Sequence, residues 1–374
     1  MFPPALVLLF FLPAAATQAP PPHRAPAGAA AFDRLAQEAG EARQARETVQ
    51  AIALYSRALK LKPEWKEGWW YLGTLYYEQD KFPECRNSFQ RLTLLEKQGA
   101  AGWSMLGLCE FGAKEYDLAL AHLRQGQQLG VSGVPGIDEV ARYHLALLLT
   151  RGESYEKSLD LFLELAQSGK DDPAMIAAAG IAALRKPLLP EDVPSAEREL
   201  AYLAGQAVWD IGARRPSQAQ KDFEALLAKY PNAPGVHYLY GSYLLQQEPD
   251  KAIPELQKEI QISPDHVPAR VQIAFEYLRR EEFAKGIPYA QEAARLAPDA
   301  AIVHTALGRL LAESGDLKGG VAELERAEKL APDSPQPRIA LASAYAKMGR
   351  NEDAARERRE FLRLRNLYKK PGEQ

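Results

Sequence analysis

Trp69-Trp70-Tyr71-Leu72-Gly73-Thr74-Leu75-Tyr76, followed by Cys85 and Phe89, is the stretch on which the fold turns. Residues three and four apart share one face of a helix, so Trp69, Leu72, Gly73 and Tyr76 form one apolar stripe and Cys85, Phe89 and Leu92 form a second. Between them, Glu78 to Pro83 is polar and ends on a helix breaker. The stretch predicts two helices joined by a turn.

The pattern returns with a step of about 34 residues. Trp103, Leu106 and Gly107 are followed by Ala119 and Leu123; His237, Tyr240 and Gly241 by Ala252 and Leu256. Ile273, Ala274 and Tyr277 precede Ala290 and Ala293; Leu307 and Gly308 precede Leu324 and Ala327; Leu341, Ala342 and Tyr345 precede Ala354. Pro231, Pro264, Pro298 and Pro332 close successive units at spacings of 33, 34 and 34. Gly73, Gly107, Gly241 and Gly308 each fall inside a helix, at a cost of about 1 kcal/mol relative to alanine. Close helix contact must offset that cost, because a buried Leu or Phe beside the glycine returns roughly 1.5 to 3 kcal/mol.

The order W-x-x-L-G-x-x-Y, then small-x-x-x-aromatic, resembles the tetratricopeptide repeat. That resemblance implies an all-α fold, a right-handed α-solenoid of tetratricopeptide-type helix hairpins, about nine pairs long. It also implies that first helices line a concave groove, which places Trp70, Thr74, Tyr77, Phe111, Tyr143, Tyr238, Phe275, Arg279 and Arg309 on the partner-binding face. Aromatic anchors with scattered hydrogen-bonding groups suit an extended peptide or a helix laid in a groove; alternatively these rings fill the seam between repeats. The Lys and Asn set by which some relatives clamp a terminal carboxylate is absent. The implied function is a non-enzymatic scaffold for a protein or peptide partner. Its alternatives are a self-associating cell-envelope assembly factor and an enzyme with an unrecognised groove site.

The chain has 374 residues, a formal net charge of −3 and 25% charged residues, without a nucleic-acid footprint. Residues 1–16 read as a secretory signal peptide, from the apolar run Ala5 to Leu12 and the small residues Ala14 and Ala16, and the run is too short to span a bilayer. This predicts a periplasmic or extracellular protein, or a cytoplasmic one if the segment is not a signal. Residues 17–30 read as a Pro/Ala-rich linker, 31–186 as an N-terminal array, 187–195 as a Pro-rich interruption, and 196–370 as a C-terminal array with a basic capping helix.

The period breaks ahead of the interruption, where Asp172 caps a helix that has Pro173 at its first position, and the helix Ala174 to Leu184 lacks charge and should be buried between neighbours. Pro187, Pro190 and Pro194 prevent an immediate second helix, so the segment is either a hinge or an insertion. Gly130, Gly133, Pro135 and Gly136 read as a lengthened connection, not a phosphate loop, since no Gly-Lys-Ser/Thr follows. The last helix carries Arg356, Arg358, Arg359, Arg363 and Arg365 before Lys369 and Lys370, and reads as a solvated cap or as a binder of anionic surfaces.

Metalloprotease, P-loop, nucleophile-elbow and CxxC motifs are absent, which predicts no enzyme, cofactor or metal. His237 and His304 take the place of Trp69 and Trp103 and read as packing residues. Cys85 and Cys109 are either two small buried side chains or, in an oxidising compartment, a disulfide between neighbouring antiparallel helices.

Overall fold

The computed structural model describes residues 27–130 and 132–367. The expected signal peptide at 1–16, the linker before Ala27, and Lys369 and Lys370 lie outside the described residues. The described chain contains no strand. It forms two compact units, one ending at Asp222 and the other beginning at Phe223, and each is a helical solenoid of antiparallel hairpins.

In the first unit, α1 (Ala27–Gln44) pairs with α2 (Thr48–Leu61), α3 (Lys66–Tyr77) with α4 (Phe82–Leu95), and α5 (Ala100–Gly112) with α6 (Tyr116–Leu129). There follow α7 (Ile137–Arg151) with α8 (Tyr155–Ala166), and α9 (Pro173–Ala183) with α10 (Arg198–Gly212). The division between units falls inside α11 (Pro216–Lys229), whereas residues 187–195 lie within the first unit. In the second unit, α12 (Val236–Gln247) pairs with α13 (Pro249–Ile262) and α14 (Val267–Arg279) with α15 (Phe283–Leu296). The last pairs are α16 (Ala301–Ser314) with α17 (Leu317–Leu330) and α18 (Pro335–Lys347) with α19 (Asn351–Leu367). Helix α1 begins four residues inside the 17–30 stretch read as linker, where alanines favour helix.

One turn recurs at the hairpin tips. Asp80 (φ 55°), Lys114 (φ 62°), Glu153 (φ 57°) and Glu281 (φ 59°) are left-handed, and Gly315 and Gly349 take the same place at no steric cost. The next amide reaches back five residues to the first helix, as from Lys81 to the Tyr76 carbonyl at 3.0 Å and from Glu115 to the Glu110 carbonyl at 2.9 Å. Carbonyls left open at the helix end are thereby satisfied and the chain is reversed.

The glycines sit where the second helix comes closest. A Cβ on Gly73 would lie 2.6 Å from the Phe89 ring, and on Gly107, Gly241 and Gly308 it would lie 2.7, 2.8 and 2.7 Å from Leu123, Leu256 and Leu324. Each of these four hairpins thus trades a side chain on its first helix for a large buried one on its second.

A second recurring contact joins four of the hairpins to the loop before them. The Trp69 indole donates to the Pro63 carbonyl at 2.7 Å and Trp103 to the Lys97 carbonyl at 2.9 Å. In the second unit, His237 Nε2 lies 2.8 Å from the Pro231 carbonyl and His304 Nε2 2.9 Å from that of Pro298. Their Nδ1 atoms meet Glu255 and Glu323, each at 2.6 Å. Both histidines are buried, and they hold the structural position that the sequence suggested.

The Asp172 carboxylate caps α9, accepting from Ala174 at 2.8 Å and Met175 at 3.1 Å. Ile176 and Ala178 to Ala183 are buried, as an uncharged helix between neighbours requires. Residues 187–195 form no helix of a hairpin; they belong to the long connection from α9 to α10, which includes the 3-10 turns Pro190–Asp192 and Ser195–Glu197.

Candidate partner-binding surface

First helices stack on first helices in each unit: α5 on α7, α14 on α16, and α16 on α18. A 34-residue step returns to the same helical position, so side chains at that spacing form columns across the stack.

In the first unit, Trp70, Thr74 and Tyr77 lie on α3, Phe111 on α5 and Tyr143 on α7, and all five are half-buried. Trp70 stands edge-on to Phe89 with ring centres 5.5 Å apart, and Tyr77 does the same to Phe82 at 6.1 Å. Phe111 contacts His144 at 4.6 Å and Tyr116 at 5.5 Å, while Tyr143 meets Phe162 at 6.3 Å. The Thr74 hydroxyl is turned back to the Tyr71 carbonyl at 3.0 Å. These rings therefore fill part of the seam between hairpins and keep part of their surface open. Burial, with Asp80 second, raises the Tyr77 hydroxyl above the usual phenol range. Beneath the face, a disulfide joins Cys85 on α4 to Cys109 on α5, with Cα atoms 5.7 Å apart.

The second unit presents a more polar face. Tyr238 on α12 receives a 3.4 Å contact from Gln272 on α14, and Ser242 Oγ lies 2.9 Å from the Gln272 amide oxygen. The Arg309 guanidinium on α16 sits over the Phe275 ring of α14, 5.8 Å from its centre. Arg279 forks onto Glu276 at 2.6 and 2.8 Å, and Lys347 reaches from α18 to Glu313 on α16 at 2.6 Å. Gln272 and Glu313 were not singled out from the sequence. Their register gave the signal, since Gln272 lies 34 residues after Tyr238 and Glu313 lies 34 after Arg279.

A separate polar cluster lies at the end of α10. Arg215 bonds Asp171 at 2.7 and 2.8 Å and Asp210 at 2.7 Å, and the Trp209 indole donates to Asp171 at 3.1 Å. Among the described residues no group of His, Cys, Asp and Glu is arranged to hold a metal. Burial, then the neighbouring Asp222 carboxyl, pushes the Asp210 carboxyl up to about 6, against Arg215. The folded chain therefore holds a proton that the unfolded chain releases between about pH 4 and 6, so stability falls as pH rises through that window. Asp210→Asn removes the penalty. It is expected to stabilise the first unit by on the order of 2 kcal/mol at pH 7.5 and to flatten the melting-temperature profile between pH 7 and 5. Parallel profiles for wild type and variant would show that Asp210 is not the group responsible.

Solved structures similar to the chain include MamA residues 41 to the end from Desulfovibrio magneticus RS-1, 16% identical over 46% of this chain and 98% of that one, with a TM-score of 0.42. Yeast Tom70 is 15% identical over 90% of this chain and 92% of its own, with a TM-score of 0.33. No curated protein matches the chain. The tetratricopeptide repeat profile matches residues 72–130, 202–267 and 272–335, about half of the sequence, and the chain belongs to the tetratricopeptide repeat family.

Proposed function

We propose that the protein is a non-enzymatic scaffold, acting outside the cytoplasm, that holds a protein or peptide segment on the first-helix faces of its repeats. The observation that carries this reading is the set of columns those faces display. In the first unit they offer half-open aromatic edges at Trp70, Tyr77 and Phe111. In the second they offer the exposed Arg309 guanidinium over Phe275. Rigid aromatic and arginine groups on a stacked scaffold lose little freedom when a partner docks. Export is supported by the apolar leader sequence and by the pairing of both cysteines in a disulfide. No helix among the described residues is long and apolar enough to cross a membrane.

The test is crosslinking in cells followed by partner identification, comparing wild type with a Trp70→Ala/Tyr77→Ala pair and with Arg309→Glu. The arginine variant changes an exposed side chain that forms no ion pair among the described residues, so its fold is expected to be intact. Capture is expected to fall about tenfold or more in at least one variant while helicity is retained, as for loss of an interface anchor. Equal capture by all three proteins would remove the reading. Light scattering that shows a large self-assembled species, with no other protein captured, would replace it with self-association.

A further inference from the structure

The charges of α19 are sorted by side. Of its carboxylates, three are taken up in ion pairs. Glu357, which is buried, accepts from Arg338 of α18 at 2.9 Å and from Arg356 at 3.0 Å. Asp353 accepts from Arg350 and Arg356, each at 2.7 Å, and Glu360 accepts from Arg363 at 2.9 Å. Ala354 and Leu364 are buried along with Glu357. The other side of the helix carries Arg358, Arg359, Leu362 and Arg365, which fall at helical spacing on one exposed face. Among the described residues no carboxylate stands within ion-pair distance of these three arginines. The register shows what has changed here. Arg358 lies 34 residues after Leu324, which is fully buried in a cluster with Leu341 and Tyr345 of the following helix. No hairpin follows α19 among the described residues, and the same position holds an exposed guanidinium.

Beside this face, α17, α18 and α19 border a groove of about 510 Å³ that is lined by Lys329 of α17 and by Arg359. The carboxylates along the groove are already engaged. Glu325 accepts from the Tyr345 hydroxyl at 2.7 Å and Glu328 from Arg338 at 2.5 Å, while Glu357 and Glu360 hold the arginines named above. Lys329 is exposed and, like Arg359, has no carboxylate partner among the described residues. Two cations of the groove are thus left for an anion from outside.

The composition of the face selects among anions. A stable protein interface needs an apolar centre of several side chains, and Leu362, 45% exposed, is the one apolar residue of the four. None of the four is aromatic, as stacking of single-stranded nucleic-acid bases requires. An anionic bilayer needs neither, because its attraction sums over the basic residues near it and a single apolar side chain can enter its headgroup layer. We propose that the outer face of α19 docks the second unit on an anionic lipid surface, with Leu362 entering the headgroup layer and a lipid phosphate seated between Lys329 and Arg359. Helix α19 is the second helix of its hairpin, so this surface is separate from the first-helix faces proposed to hold a protein partner.

The full chain is sedimented with vesicles of phosphatidylcholine alone and with vesicles that also contain about 30 mol% phosphatidylglycerol. It is expected to bind the mixed vesicles and not the neutral ones, and binding should weaken as salt is raised. Arg358→Glu/Arg359→Glu changes two exposed side chains that form no ion pair among the described residues, so the wild-type melting temperature should be kept. Its partition onto the mixed vesicles is expected to fall at least tenfold, since each basic residue near the surface contributes about fivefold. Lys329→Gln should lower partition by about fivefold. The same charge change at Lys60 and Lys157, exposed residues of the first unit, is the control and should leave partition within about twofold. Absence of binding to the mixed vesicles, equal binding to both kinds, or an equal loss in the control would overturn the proposal. Binding of polyglutamate without binding of vesicles would assign the face to an acidic protein and overturn it as well. Neither Trp70, Tyr77 nor Arg309 takes part, so this experiment and the capture experiment fail separately.

Discussion

Replacing Gly180 by alanine is expected to destabilise the first unit by about 3 kcal/mol or more, at the upper end of the range for overpacking a core. A Cβ at this position would lie 1.7 Å from the Ala201 carbonyl oxygen and 2.6 Å from the Gly205 amide nitrogen. The reciprocal contact is as close, since a Cβ on Gly205 would lie 1.8 Å from the Ile176 carbonyl oxygen. Both neighbours are backbone atoms of packed helices, so no rotamer change relieves the clash and α9 must move away from α10. Ile176, Ile181, Ala201 and Ala204 surround the crossing and are all buried, so separation forfeits close contacts on every side. Gly40 on α1 is the control, because nothing stands within 4 Å of its Cβ position. Gly40→Ala should stabilise by about 0.5 to 1 kcal/mol through helix propensity alone. Urea unfolding followed by circular dichroism checks both, and a Gly180→Ala midpoint equal to wild type would show that the two helices are not held backbone to backbone.

That crossing marks where the sequence stops being informative. Gly73, Gly107, Gly241 and Gly308 are legible because they share one register with the Leu or Phe that fills the space they leave. Gly180 and Gly205 share no register with them, and their closeness depends on how two helices separated by a proline-rich connection dock. The same limit explains Leu189, which reads as a loop residue and is instead nearly inaccessible. It explains Asp210 too, an ordinary carboxylate by sequence that is raised because burial, then Asp222 and Asp171, act on it against Arg215.

On the proposed docking face, the pairs Trp69–Trp70 and Tyr76–Tyr77 already imply that one member of each turns away from the main stripe. The columns are legible from the 34-residue step, as Phe111 follows Tyr77 and Arg309 follows Phe275 at that distance. How much of each ring stays open is set by the next hairpin. No periodicity encodes that.

The disulfide is the other large effect, and it bears directly on that face. Opening the Cys85–Cys109 bond is expected to cost about 3 kcal/mol, because it closes a loop of 24 residues that the unfolded chain would otherwise be free to explore. Both side chains are fully buried, and the bond ties α4 to α5, which belong to consecutive hairpins. In a repeat array, stability is close to a sum of hairpin terms and neighbour interfaces, so the loss concentrates at one interface. Its neighbours are residues of the proposed docking face: Trp70 leans on Phe89 of α4, and Phe111 lies in the last turn of α5. Wild-type protein melted with and without reductant isolates the crosslink from changes in side-chain volume, and Cys85→Ala/Cys109→Ala should reproduce the reduced curve within about 1 kcal/mol. Thiol titration of denatured, unreduced protein should find no free thiol, and partner capture should weaken under reduction before helicity is lost. Two titratable thiols in that sample, or superimposable melts, would mean that the hairpins are held together at this point by packing alone.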